Sequence, residues 1–223
     1  MRADAPAVQR FESSLADREL RVFHGFDSPL AIQRFLDDIP YSAEPIYRCP
    51  KSVLRDRLAH CFDGALLAAA GLRRMGYRPL IVDLLAERDD DHLLALWQRD
   101  GRWGAIAKSN YVGLRFREPV YRTLRELAMS YFEGFYNVEK EKTLRGYTVP
   151  LDLRAFDRLR WMESDEQLET IARRLDTIRR ISLLSPAMVA GLALLDERSY
   201  RAGMLGVNAA GLYRPQGGPP DRR

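Results

Sequence analysis

The feature that most constrains this chain is a single change of hydrophobic period at Gly76. From Cys61 onward the apolar residues Cys61, Ala65, Ala68, Leu72 and Met75 recur at helical spacing, while Asp63, Arg73 and Arg74 fall off that stripe. Gly76 supplies the usual glycine stop. Beyond it the period drops to two, and "PLIVDLLAE", "HLLALWQR" and "RWGAIAKS" read as three strands. "RDDD" joins the first pair, and Asp100-Gly101, a strong two-residue hairpin signal, joins the second. The expected class is α+β, with a cysteine-bearing helix packed on an antiparallel sheet.

That arrangement brings particular side chains together. A helix packed on its sheet places its N-terminus at one edge of the strands. The first strand runs back antiparallel to the helix, so the "RDDD" loop and His92 are expected beside Cys61. A thiol at a helix start sits among unpaired N–H groups and the positive end of the helix dipole, both of which favour thiolate. Histidine is its usual base. Among the three histidines, His60 is the chain neighbour of Cys61 and poorly placed to face it, and His24 lies in a region with no other chemistry. His92 is the candidate. A two-residue turn sets Ser109 opposite His92, whereas three-residue loops set Lys108 or Asn110 there. Asn110 can orient the imidazole through its carbonyl, Ser109 more weakly, and Lys108 not at all. Asp89, Asp90 and Asp91 form an exposed loop whose charge would raise the His92 pKa. Asp63, in the first helical turn, is expected only to favour the dipole.

At these residues a resemblance appears. "AHCFDGALLAAAGLRRMGYRP" and "DDDHLLALWQRDGRWGAIAKSN" resemble the cysteine helix and the histidine strand, glycine turn and Trp-containing strand of the transglutaminase-like superfamily, including its bacterial transglutaminase-like domain proteins. The likeness covers roughly residues 51–111. It implies a papain-like cysteine-protease core and amide chemistry through an acyl-enzyme, with Cys61 as nucleophile and His92 as acid and base. The family usually carries an aspartate at the end of the third strand. This chain offers "AIAKSN" there, so Asn110 would complete a papain-like Cys-His-Asn set. Oxyanion donors would be the Cys61 backbone N–H and a side chain upstream of it. The implied activity is a thiol-dependent hydrolase or acyltransferase acting on a peptide, protein or other amide. The alternative is a binding or scaffold protein that keeps the fold without turnover.

The flanks supply helices. "DSPLAIQRFLDDIP" reads as one, with Ser28 as N-cap, Pro29 at the first position and Pro40 as stop; a helical turn is expected after Pro50. "EPVYRTLRELAMSYFEGFY" reads as an amphipathic helix with Pro119 in its first turn, and "KTLRGYTVPLDL" as one returning strand. A capping box at Ser164–Gln167 is expected to open a long helix through "DEQLETIARRLDTIRRISLL", and another helix is expected around "PAMVAGLALLDERSYRAGML". The expected organisation is a helical lead-in at 1–50, a core at 51–155, a helical extension at 156–213 that offers a surface to a protein partner, and a disordered tail at 214–223. Trp103 and Arg115 are candidate substrate contacts, Arg115 for an acidic group. Packing competes at Trp103, and an ion pair with Glu118 or Glu126 competes at Arg115.

Composition narrows the classes further. No apolar run approaches the roughly 20 residues a membrane helix needs, and the charged start lacks a signal-peptide core; a cytoplasmic protein without a membrane partner is expected. Two cysteines argue against a disulfide scaffold. Cys49, His60, Cys61 and His92 lack the C-x-x-C pairing of zinc sites, so neither metal nor cofactor is expected. The net charge of +4 hints at nucleic acid, but only four of the 35 basic residues are lysines and the arginines alternate with acids throughout. That pattern argues against a phosphate-binding face.

Overall fold

The computed structural model describes residues 5–215. Four helices precede the cysteine: α1 (Ala5–Ser14), α2 (Asp17–His24), α3 (Pro29–Asp38) and α4 (Pro50–Asp56). The expected caps form. The Ser28 hydroxyl accepts the Ala31 N–H at 3.2 Å, and Pro29 and Pro50 open their helices. These helices bury Phe11, Phe23, Phe26, Ile32 and Val53 against α5 (Cys61–Arg74). Gly76, at φ +90°, ends α5: its N–H donates to the Arg73 carbonyl at 3.0 Å, and the Tyr77 N–H donates to the Leu72 carbonyl at 3.0 Å. This pair of bonds is a Schellman stop, which only a left-handed residue can close.

The period change then appears as β1 (Leu80–Ala86), β2 (His92–Arg99) and β3 (Arg102–Ile106), followed by β4 (Arg117–Tyr121), α6 (Leu124–Met129), β5 (Leu144–Thr148), β6 (Leu151–Asp152), α7 (Leu168–Thr177), β7 (Arg180–Ser182), α8 (Pro186–Ala190) and α9 (Glu197–Gly203). Among the described residues the strands form one seven-stranded sheet in the order β4-β3-β2-β1-β5-β7, with β6 also against β1, and every pairing is antiparallel. The fold is therefore α+β, as expected. Leu80, Val82, Leu84, Leu94 and Leu96 line a core on one face with α6, while Ile81, Leu93, Ala95 and Trp97 pack towards α5 on the other. No helix among the described residues is long and apolar enough to cross a membrane.

Asp100 and Gly101 take φ of +52° and +70°, which makes a two-residue turn with Arg99 opposite Arg102. Continued, this register would set Ser109 opposite His92. The ladder stops at Ala95–Ile106 instead. Gln33 of α3 takes both polar groups of Ala107, donating to its carbonyl at 3.0 Å and accepting its N–H at 3.1 Å. Next, the Lys108 ammonium donates to the Leu36 and Ile39 carbonyls at 2.7 and 2.5 Å, closing the C-terminal end of α3. Its stem packs on Gly64, where a β-carbon would collide with that of Lys108. The third strand is thus pulled off β2 just where His92 begins.

Burial pulls the Lys108 ammonium down to about 8 from its usual 10.5. Between those values the unfolded chain holds more protons, so this group's contribution to stability rises with pH across the window. Urea titrations at pH 7.5 and 9.5 should show the stability of wild type relative to Lys108→Met improving by about 1–2 kcal/mol at the higher pH. A constant difference would mean that the ammonium titrates as if exposed.

Several flanking expectations are corrected. Pro119 lies in β4, an edge strand, where its missing N–H costs no ladder bond; the helix after it is only Leu124–Met129, capped by the Thr123 hydroxyl. The segment 144–152 forms two strands rather than one. Ser164 accepts the Glu166 N–H and does not cap a helix that starts at Leu168. That helix ends at Thr177 because residues 180–182 pair with β5, so the region beyond residue 155 contributes a strand to the sheet. The last expected helix is two short ones, capped by Ser185 and Asp196. The expected tail lies outside the described residues from position 216 on.

Candidate active site

Cys61 is the first residue of a fourteen-residue helix, and its neighbours fix where the sulfur sits. His60 is the N-cap: Nδ1 accepts the Phe62 N–H at 3.2 Å, and Nε2 donates to the Ile46 carbonyl at 3.0 Å. Burial holds this ring down at about 4, so it stays neutral, occupied by capping. Asp63 does more than favour the dipole. It is fully buried and accepts the His60 N–H at 3.1 Å and the Arg48 N–H at 2.8 Å, with the Arg48 guanidinium 3.8 Å away. Burial nevertheless pushes it up to about 7. Asp63 thereby ties the connector before α4 to the start of α5.

The Cys61 sulfur lies 4.0 Å from the Asp91 carbonyl oxygen and close to the Leu93 N–H. The Leu93 N–H lies on the edge of β2 that β3 has vacated, and Asp91 immediately precedes that strand. Burial pushes the thiol up to about 12, and the carboxylates of Asp83, Asp63 and Asp90 add to the shift. His92 follows the parity of Leu94 and Leu96, so its ring lies towards the face away from α5, edge-on to Phe135 at 6.3 Å. Ring and sulfur share the lining of a small cavity of about 30 Å³ at the strand edge. Among the described residues no hydrogen bond joins them.

The ring's partner differs from the expected one. His92 Nε2 lies 2.7 Å from the Leu114 carbonyl oxygen, a pure acceptor, so Nε2 carries the proton and Nδ1 keeps its lone pair. Leu114 ends a short 3₁₀ turn, Val112–Leu114. Burial holds His92 down at about 4, partly offset by this bond. The carboxamide of Asn110 is turned to the other end of the chain: Oδ1 accepts the Asn208 N–H at 2.8 Å, and Nδ2 donates to the carbonyls of Asn208 and Gly211 at 2.9 and 3.2 Å. Ser109 accepts the Tyr111 N–H. Arg115 pairs with Asp37 at 3.2 Å, not with Glu118 or Glu126, and lines a neighbouring cavity. Trp103, near the far end of the hairpin, lines neither of two cavities that Cys61 borders.

Sequence spacing gave no sign of Tyr41. The Ser42 N–H donates to the Ala59 carbonyl at 2.9 Å, which sets Tyr41 beside the helix start with its hydroxyl facing the Cys61 backbone N–H. Burial raises its pKa, so it remains a donor. Cys61 also lines a larger cavity of about 470 Å³ bordered by Glu44, Asp83, Asp90, Asp91, Glu169 and Asp176 and by residues 210–213. Burial, with Asp91 and Asp176 nearby, pushes Asp83 up to about 8. An acid raised in this way stabilises the fold less as pH climbs from its ordinary value to the raised one. Asp83→Asn should therefore gain on the order of 2 kcal/mol over wild type at pH 8 and nothing at pH 4, read from chemical denaturation. Equal gains at both pH values would place the carboxylate in ordinary solvent.

Compared with models of known protein families, the chain matches none, and it has no significant match among curated proteins.

Proposed function

We propose that this chain is a thiol-dependent amide hydrolase or acyltransferase with a transglutaminase-like, papain-type core. One observation carries the reading: Cys61, at the N-terminus of α5, and His92, with Nδ1 left as an acceptor, line the same small cavity. Apo sites of this kind often hold the base at longer range than the working complex does. As the sulfur attacks a substrate carbonyl, its proton passes to His92 Nδ1. The oxyanion is held by the Cys61 N–H and the Tyr41 hydroxyl. The C–N bond breaks, the amine leaves with the proton from His92, and a thioester remains on Cys61. Water or a second amine gives its proton to His92, attacks the thioester and restores the thiol. The Leu114 carbonyl takes the place of an orienting side chain.

A second reading, a binding protein without turnover, draws on one specific observation. With the thiol held up at about 12 and the imidazole down at about 4, no thiolate–imidazolium pair exists at rest. Acyl-enzyme trapping separates the two. The protein is incubated with peptide p-nitroanilides and with glutaminyl peptides plus a fluorescent primary amine, quenched in acid and mapped by mass spectrometry. An acyl adduct on the Cys61 peptide, absent from the Cys49 peptide, is expected. No adduct and no product from any donor would leave the binding reading standing.

A further inference from the structure

We propose that the larger cavity is a groove for a basic peptide, and that this chain occupies it with its own residues 208–213. The inference deepens the thiol chemistry proposed above, on which the groove's meaning rests, by naming its ligand class.

The occupant is held by its main chain and by the Asn208 side chain. Asn110 brackets the Asn208 peptide unit with one accepted and one donated bond, 2.8 and 2.9 Å, and donates again to the Gly211 carbonyl at 3.2 Å. The Asn208 carboxamide donates to the Tyr41 carbonyl at 3.0 Å. Gly211 lies flat on Tyr41: a β-carbon there would meet two ring carbons at 3.0 Å and the Asn110 amide nitrogen at 3.3 Å. Ala210 to Tyr213 then border the cavity that holds Cys61. Residues 209–211 form a 3₁₀ turn in which the Gly211 N–H donates to the Asn208 carbonyl at 3.0 Å, so a peptide that turns in the same way can make the same bonds to Asn110 and Tyr41.

The charge of the groove says which peptide. Six carboxylates border the cavity and no lysine or arginine does. Arg48 and Arg173 pair with Glu44 and Glu169 from outside it, and Arg180 acts on Asp83 and Asp91. Residues 208–213 bring no charge, so the cis occupant adds no countercharge of its own to this acidic lining. Among the described residues no group of three metal-binding side chains is arranged to hold one ion, whereas a cavity of about 470 Å³ accommodates lysine or arginine side chains. The cis segment is also weakly held. Asn208, Ala209 and Ala210 are exposed and none of residues 208–213 is fully buried, leaving mainly surface hydrogen bonds of about 1 kcal/mol each.

The test uses the full-length chain and two variants on the cis segment, Asn208→Ala and Gly211→Val. Fluorescence polarisation is read with a labelled arginine-rich decapeptide and a glutamate-rich one of equal length. Alkylation of Cys61 by N-ethylmaleimide is followed by peptide mapping. Both variants should bind the arginine-rich peptide about tenfold more tightly than wild type, the gain expected where a competitor leaves a site one-tenth open. Both should alkylate faster, and the glutamate-rich peptide should bind neither. Variants that melt like wild type yet show wild-type affinity and alkylation overturn the proposal, as does equal binding of the two peptides. None of these readouts needs turnover, so an absence of catalysis would sink the chemistry proposed above and leave the groove standing.

Discussion

Cys61→Ala should abolish amide turnover, by at least about 10³-fold, while leaving the protein folded. The reason lies in what the sulfur touches. It is only partly buried, its polar contacts are the Asp91 carbonyl at 4.0 Å and the Leu93 N–H, and the helix start is secured by His60 and Asp63 rather than by the thiol. Alanine keeps the β-carbon and the helix propensity, so the stability cost stays near 1 kcal/mol. Cys61→Ser is the sharper probe. It retains a donor in nearly the same place, but a hydroxyl is far harder to deprotonate, and a base as weak as His92, at about 4, gives it little help. Steady-state rates on a fluorogenic amide, with thermal melts of all three proteins, read the outcome. A serine variant with more than about a tenth of wild-type activity would mean that the sulfur only fills space.

What the chain disclosed about itself followed from local rules. The helix from Cys61, its glycine stop, three strands and the Asp100-Gly101 turn depend on neighbours within a few residues, and they stand where the period set them. Pro119 misled because a proline opening an apolar stripe suits the first turn of a helix, and an edge strand tolerates it equally well. Residues 178–184 continue a helical pattern, yet Arg180–Ser182 pair with β5; a partner distant in sequence outweighed propensity. The site divides in the same way. The placing of Cys61 and His92 on one cavity follows from the order of elements. The ring's own partner is a backbone carbonyl at Leu114, which any residue possesses and no motif announces. Asn110, chosen from a register, is drawn off because Gln33 and Lys108 lift the chain out of that register. One signal lay in plain view: an aspartate inside "PLIVDLL", at a strand position that faces the helix. Asp83 marks the acidic cavity.

His92→Gln should lower turnover by about 10²–10⁴, the range set by removing a general acid and base. Glutamine suits the test because its amide nitrogen can still donate to the Leu114 carbonyl, keeping the loop while removing the lone pair at Nδ1. The pH profile carries the mechanism. In wild type the acid limb of kcat/KM should fall near pH 4, where burial has moved the ring, rather than near the ordinary 6.5. Alkylation of Cys61 should go on rising towards about pH 12 without a neutral plateau, because no ion pair forms at rest. Stability gives a second measure, independent of turnover. A ring held at about 4 binds fewer protons than the unfolded chain's between pH 4 and 6.5, so wild type loses stability on acidification through that window and His92→Gln loses less. The two proteins should therefore converge in denaturant midpoint as pH falls from 7 to 4. An acid limb near 6.5, or parallel midpoints, would put the ring in water and separate it from the sulfur it is proposed to serve.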